Sequence, residues 1–427
     1  MSYVDTYYRP GAAGDVQRPA LTGRSDADVC IVGGGLSGLT AALELARRGR
    51  SVCVLEAERI AWGASGRNGG FVGPGYAAGY RHIERLAGPD DAKALHRLSI
   101  EGARAVADTV QTLAIPDADL MPGILATVRR EAADELRAHR DWLEREFGYR
   151  VEFKDRAQVR DLLISPRYHQ ALFDPNAFHF HPLNYARALG REIERLGGRI
   201  FEGSAVLDIA IDQPAKAVRT SHGEVRAGDV VIASGGYTGG LLPSLQRSYL
   251  PIATYVMLTK PAKDLIATAI RTRFAIGDDR RAGDYYRLVD GGERILWGGK
   301  ITTRTTEPRR LGRLLHQTMV STYPQLKDLP VDIVWSGLMS YARHLMPQIG
   351  RYRPGVWYCT AFGGHGLNTT AIGGRLIAEA ITGETDRYRL FAPFGLVWNG
   401  GFAGRIAAQL TYWSYQAMDL YRERRSA

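Results

Sequence analysis

Residues 29–56, VCIVGGGLSGLTAALELARRGRSVCVLE, constrain the fold more than any other stretch of the chain. Cys30, Ile31 and Val32 form a short apolar run suited to a strand buried on both faces. The run delivers the chain into Gly33-Gly34-Gly35-Leu36-Ser37-Gly38, a G-x-G-x-x-G pattern. Its glycines answer separate steric demands. Gly33 permits a tight turn, Gly35 admits a pyrophosphate against the backbone, and Gly38 lets the following helix pack close to the strand. Leu39, Ala42, Leu43 and Ala46 recur at helical spacing, Gly49 ends that helix, and residues 51–55 read as a second strand. Glu56, followed by Ala57, stands where a carboxylate accepts from ribose hydroxyls. Strand, turn, helix, strand and acid in this order predict an adenine-dinucleotide cradle.

A second glycine-dense loop, Gly63-Ala64-Ser65-Gly66-Arg67-Asn68-Gly69-Gly70, follows directly. Glycine at this density gives up side-chain burial for backbone freedom. Such a loop suits a ligand surface, presenting amides and Arg67 to phosphates or to a planar ring. Nicotinamide-binding Rossmann domains do not need it. Fingerprint and loop together make the chain similar to the D-amino acid oxidase superfamily of FAD-dependent amine and amino-acid oxidoreductases, and the resemblance runs along nearly its whole length. Gly203-Ser204-Ala205-Val206 resembles the segment whose valine backbone holds the adenine. The run 230–236, with Ala233 and Gly235, resembles the late strand that passes beside the AMP half. Phe362-Gly363-Gly364-His365-Gly366-Leu367-Asn368-Thr369 resembles the C-terminal flavin loop, followed by a helix read over 371–381 whose N-terminus faces the pyrimidine edge. Helix-end amides there stabilise a reduced, anionic flavin. With no recognised cysteinyl or histidyl attachment motif, the FAD is expected to be non-covalent.

The resemblance implies an α/β fold, an FAD-binding Rossmann-like domain of the GR2 type interleaved with an antiparallel β-sheet substrate domain. The expected FAD-binding segments are 25–91, 161–249 and 342–392. Helical patterning at 92–113 and 131–147, with strand-like runs at 254–258, 284–289, 294–298 and 331–336, places the substrate domain in 92–160 and 250–341. Residues 393–427 form a helical tail carrying Trp398, Tyr412, Trp413, Tyr415 and Tyr421. Docking on the body of the protein is its expected role, and a membrane-surface helix the other reading. A length of 427 residues with 45% apolar content suffices for more than one core. The net charge of +10 is scattered, without a basic stripe of interleaved aromatics, so no nucleic-acid partner is expected. No integral membrane segment is expected, nor a signal peptide in the first nineteen residues. Cys30, Cys53 and Cys359 read as buried thiols of a cytoplasmic protein.

Two constellations bear on chemistry. His179-Phe180-His181-Pro182 places two imidazoles on one strand face, but with no third ligand near, no metal is expected. Family members acting on α-amino acids look as though they pair an arginine after a tryptophan with the substrate carboxylate. Here Trp335-Ser336-Gly337-Leu338-Met339 puts a thioether there. Arg343 or Arg287 would be the substitutes. Phrases such as Asp284-Tyr285-Tyr286-Arg287-Leu288 and Met346-Pro347-Gln348-Ile349-Gly350-Arg351 resemble the polyamine-oxidising branch. The implied reaction is oxidation of a gamma-glutamylputrescine-like or other polyamine-derived amine by hydride transfer to flavin, giving an imine that hydrolyses to an aldehyde. Oxygen or a respiratory acceptor would take the electrons. Tyr255, Tyr286, Trp335 and Phe362 are the aromatic candidates for an ammonium pocket, and no catalytic acid or base is singled out. A glycine- or sarcosine-type oxidase or dehydrogenase is the alternative, and a non-catalytic FAD-binding redox or assembly protein the second.

Overall fold

The computed structural model describes residues 2–9, 16–280, 283–303 and 310–426. A first sheet has a parallel centre in the order Val356–Thr360, Gly223–Ile232, Gly23–Val32, Val52–Leu55 and Arg199–Phe201. Gln348–Arg353 adds an antiparallel edge, and the hairpin Asp208–Ala210 with Lys216–Arg219 extends Gly223–Ile232. Cys30, Ile31 and Val32 pair with Cys53, Val54 and Leu55 on one side and with Val230, Val231 and Ile232 on the other. All nine are buried, as a parallel sheet covered on both faces requires.

Helices Leu36–Arg47, Pro89–Thr112 and Gly366–Thr382 pack together on one face of this sheet. Close approach is made by small residues. A Cβ at Gly374 would lie 2.7 Å from the Ala41 nitrogen, and one at Gly102 only 2.3 Å from the Asn368 carbonyl oxygen. The helix Gly366–Thr382 begins earlier than the apolar spacing from 371 indicates, because Leu367 is the one large apolar residue in its first turn and a single residue carries no periodicity.

A second sheet runs Val331–Ala342, Tyr249–Thr259, Arg294–Thr302, Tyr285–Val289, Ala275–Asp278, Met121–Val128, Gln170–His179 and Phe71–Val72, with Glu152–Lys154 beside Gln170–His179. Every pairing is antiparallel except that of Ala275–Asp278 with Met121–Val128. Phe71–Val72 and Gln170–His179, grouped with the dinucleotide segments on sequence, are strands of this sheet. Gln170–His179 lies between Phe71–Val72 and Met121–Val128, both remote from it in sequence, so local pattern carries no sign of the pairing. One face of the sheet meets helix Leu311–Thr322 over a core of Tyr255, Met257, Tyr286 and Trp297. The other face, with Tyr285, Val289 and Trp335, joins the core of the first sheet.

Helix Gly401–Ser426 lies against the second sheet. The Ile301 N–H donates to the Tyr412 hydroxyl at 3.0 Å, and Glu423 meets Arg129, Arg167 and Arg280. Among the described residues no helix is long and apolar enough to cross a membrane.

Substituting Gly374→Val should drive the helices Leu36–Arg47 and Gly366–Thr382 apart, at an overpacking cost of ~1–3 kcal/mol. The expected outcome is a lower unfolding midpoint together with weaker FAD retention. An unchanged midpoint would show that the two helices can separate without loss.

Candidate active site

A cavity of about 720 Å³ opens between the sheets, within the usual range for ligand sites of about 300–1,000 Å³. Its floor is the carboxyl edge of the first sheet. Gly33, Gly35, Leu36, Ser37, Glu56 and Ala57 line it there, with Val206, Ala233 and Gly235 beside them. Gly63, Ala64, Ser65, Arg67, Asn68 and Gly69 form one flank, and Phe362, Gly364, Gly366 and Leu367 another. Four further residues expected at the cofactor do not line the cavity. Gly38 lies beneath the turn, where a Cβ would meet the Gly33 carbonyl oxygen at 2.0 Å, so its role is packing. Gly70 sits in the left-handed region at φ +81° against Phe180. Thr369 is fully buried and turns its hydroxyl back to the His365 carbonyl, while His365 itself is exposed at the N-cap of the helix.

Two helix N-termini reach the cavity, those of Leu36–Arg47 and Gly366–Thr382. Neither has an acidic residue in its first turn or a cap from its own N-cap side chain, although the Leu36 N–H donates to Ser65 Oγ at 3.0 Å. Both ends therefore present positive dipole character to an anion. Half-buried Glu56 accepts the Gly34 N–H at 2.7 Å and the Glu58 N–H at 2.9 Å. Burial pushes its carboxyl above the ordinary range, and the two amides oppose that shift. A glycine turn, a carboxylate at the end of the second strand and two helix ends without acidic side chains fit an adenine dinucleotide.

The flank at 63–70 is held from behind. Asn68 donates to the Ala64 and Ser65 carbonyls at 3.1 and 2.9 Å and accepts the Gly70 N–H at 2.8 Å. Buried Arg287 donates to the Gly69 carbonyl at 2.9 Å and to the Tyr8 hydroxyl at 3.2 Å, and Tyr8 donates to the Asn68 carbonyl at 2.6 Å. Trp335 donates its indole N–H to the Arg67 carbonyl at 2.8 Å. The N-terminal arm is thus built into the wall of the site, which nothing in its sequence signals.

Of the four aromatic candidates, Phe362 lines the cavity and the other three do not. Tyr255 and Tyr286 face the opposite side of the second sheet, where Tyr286 stacks on Trp297 at 4.1 Å and bonds the hydroxyls of Tyr168 and Tyr323. Trp335 is on the correct face but lies under Arg67. The residues that do line the cavity are their neighbours by strand alternation, Thr254 and Tyr285, together with Met339 and Tyr341. Tyr285 fits because its cross-strand partner is Gly298, where a Cβ would lie 2.0 Å from the ring. Burial raises the phenols of Tyr285 and Tyr341, the latter to about 12, so both hydroxyls keep their protons.

Charge inside the cavity is sparse. Among the described residues the one cation in its lining is Arg67, which donates to the Trp62 carbonyl at 2.7 Å and lies over the Trp62 ring. Arg343 is exposed outside it, and Arg287 is committed to the loop. The two imidazoles singled out on sequence are also engaged. His179 Nε2 donates to the Arg273 carbonyl at 2.9 Å while Nδ1 accepts from Arg287 at 3.1 Å, and His181 Nδ1 accepts the Asn184 N–H at 3.2 Å.

A family model described as DAO, FAD dependent oxidoreductase, matches residues 28–380. Gamma-glutamylputrescine oxidoreductase of Escherichia coli K12 is 35% identical over 393 residues, which cover 91% of this chain and 92% of that protein. The Haemophilus influenzae protein named "Probable oxidoreductase OrdL" is 31% identical over 430 residues, 98% of either chain. The crystal structure of glycine oxidase from Geobacillus kaustophilus shares the fold with a TM-score of 0.73 at 21% identity, covering 87% of this chain and 98% of its own.

Replacing Glu56 by Ala should weaken FAD retention by ~1–3 kcal/mol, the worth of hydrogen bonds to a charged group. Equal FAD dissociation constants for variant and parent would remove Glu56 from the site. A second expectation concerns pH. Burial, aided by Arg287, lowers His179 and His181 to about 4, and burial lowers His96 to about 4. Folded values below the ordinary 6.5 mean that the unfolded chain takes up protons first. The stability of these neutral imidazoles is whole above about pH 6.5 and is lost as pH falls toward about 4. His181→Asn, which keeps an N-cap, should make that decline shallower in unfolding midpoints measured across the range. An undiminished slope would place the loss at other groups.

Proposed function

The chain belongs to the DAO family of FAD-dependent oxidoreductases, and from that membership we propose that it oxidises a polyamine-derived amine whose reacting carbon carries no carboxylate, gamma-glutamylputrescine or a near analogue. The observation that carries this reading is Met339 in the cavity wall, with the candidate guanidiniums Arg287 and Arg343 both directed elsewhere. We assign FAD binding to the first sheet with its helices and the loop 63–70, and the substrate pocket to the second sheet. The relative from Escherichia coli supports the substrate class through its name and its coverage of both chains.

Bound FAD supplies a non-covalent hydride acceptor whose ring becomes anionic on reduction. Gly35 and Leu36 at the first helix end would receive the pyrophosphate, Glu56 the ribose, and the N-terminus of Gly366–Thr382 the ring edge. Tyr285, Tyr341 and Phe362 offer π faces to an ammonium group. Leu338, Met339 and Phe362 strip it of water, which favours the neutral amine that reacts. Tyr341 is positioned by its contact with the Gly364 backbone, and the Gly363 N–H donates to the Ser340 carbonyl at 2.9 Å, so the pocket and the C-terminal loop move as one piece. The imine product hydrolyses to an aldehyde, and oxygen or a respiratory acceptor takes the electrons.

Anaerobic mixing of the yellow holoprotein with gamma-glutamylputrescine should reduce the flavin at least about a hundredfold more efficiently than glycine, sarcosine or D-alanine. A buried carboxylate without a cationic partner costs several kcal/mol, and ~1.4 kcal/mol is a factor of ten. Met339→Arg should narrow the gap by admitting a carboxylate. Faster reduction by glycine or sarcosine in the parent would sink the proposal.

A further inference from the structure

Helix Gly401–Ser426 turns one side to the body of the protein and leaves the other in solvent. The inner side carries Tyr412, Asp419 and Glu423, which are buried or paired. The outer side is mainly apolar along the helix, interrupted by the exposed Ser414 and bordered by Thr411. Phe402 is 80% exposed, Leu410 and Trp413 54%, and Tyr421 61%, with Ile406 and Leu420 between them. Phe402 and Met418 lie about 160° apart around the helix at about 100° per residue, so the apolar arc spans nearly half the cylinder. Val397 and Trp398 extend it from the preceding turn. An exposed patch of this kind marks an interaction site.

We propose that this outer face docks on a phospholipid surface carrying anionic headgroups. Charge selects that occupant. The exposed charges of the helix among the described residues are Arg405 and Arg422, and its two acids face inward. A second copy pairing through the same face would set arginines against arginines with no exposed acid on either helix to answer them. Width argues in the same direction. A two-helix seam is a narrow stripe with charges along its borders, whereas a broad apolar face with basic flanks is what a helix lying in a headgroup layer presents. The exposed Trp398, Trp413 and Tyr421 are the residue types that settle at that level. Because the helix is not apolar enough to span, it lies along the surface. The surface also adjoins the cavity wall, since Ile301 lines the cavity and donates to Tyr412 on the inner side of this helix.

The test uses the full-length holoprotein in flotation with phosphatidylcholine vesicles, with and without phosphatidylglycerol. The expected result is roughly tenfold or greater enrichment on the anionic vesicles, falling with salt. The double substitution of Leu410→Ser with Trp413→Ser should abolish flotation, and Arg405→Gln with Arg422→Gln should erase the preference for anionic lipid. FAD content and flavin reduction by amine should stay at parent values in both, because these residues lie outside the cavity, so this result stands apart from the substrate assignment. Absence of flotation on either vesicle, or equal flotation of the serine variant, overturns the proposal. A dimer in solution that the serine variant dissociates, with no vesicle binding, would assign the face to a second copy instead.

Discussion

A buried guanidinium holds the two halves of this molecule in register. Arg287, on the second sheet, is 2% exposed, and its four partners are the Gly69 and Phe180 carbonyls, the Tyr8 hydroxyl and His179 Nδ1. None is a carboxylate. A buried charge with neutral partners persists only when its N–H groups are well satisfied, and each lost acceptor would leave a costly unpaired donor. The loop at 63–70 therefore has little freedom to move away from the second sheet. His179, which closes the network, stays neutral for the same reason, since burial and the adjacent positive charge both disfavour a proton.

This network bears on chemistry because it commits Arg287, two positions from the cavity-lining Tyr285, to the loop and the arm. Apart from Arg67 and the carboxylates Glu56 and Glu58 on the cavity wall, the polarity of the site is dipolar: two helix ends, backbone amides of the glycine turns and protonated phenols. Preorganised dipoles stabilise charge that develops on a bound ring without offering a fixed counter-ion to a substrate. That arrangement suits a flavoprotein whose cofactor becomes anionic on reduction.

The dinucleotide cradle was legible in the sequence because it is local, with every demand met inside residues 29–56. The second sheet was legible only as strands. Both of its faces are buried, so apolar residues at consecutive positions give no phase, and an aromatic doublet such as Tyr285-Tyr286 can be assigned to either face. The neighbour Arg287 held the missing signal: a charge on a strand covered on both sides must point to polar partners, and Tyr285 shares its face two positions away. The arm at Tyr3, Tyr7 and Tyr8 gave no local sign at all, since its worth lies in contacts with residues more than fifty positions distant.

Register decides whether another arginine could take the place of Met339. Val331–Ala342 pairs with Tyr249–Thr259 from Val331 through Ala342, with Ile252 opposite Met339 and Tyr249 opposite Ala342, and its irregularity lies at the far end beside Thr259. Sliding Arg343 into the position of Met339 would require a four-residue shift, carrying Trp335 away from the Arg67 carbonyl and Tyr341 away from the C-terminal loop. A substrate carboxylate would thus need a different cation altogether, and among the described lining residues only Arg67 carries one, on the flank shared with the loop. The strand that roofs the cavity is held by the walls it adjoins, through Trp335 at the Arg67 carbonyl and Tyr341 at the C-terminal loop, and this fixes Met339 in the cavity wall.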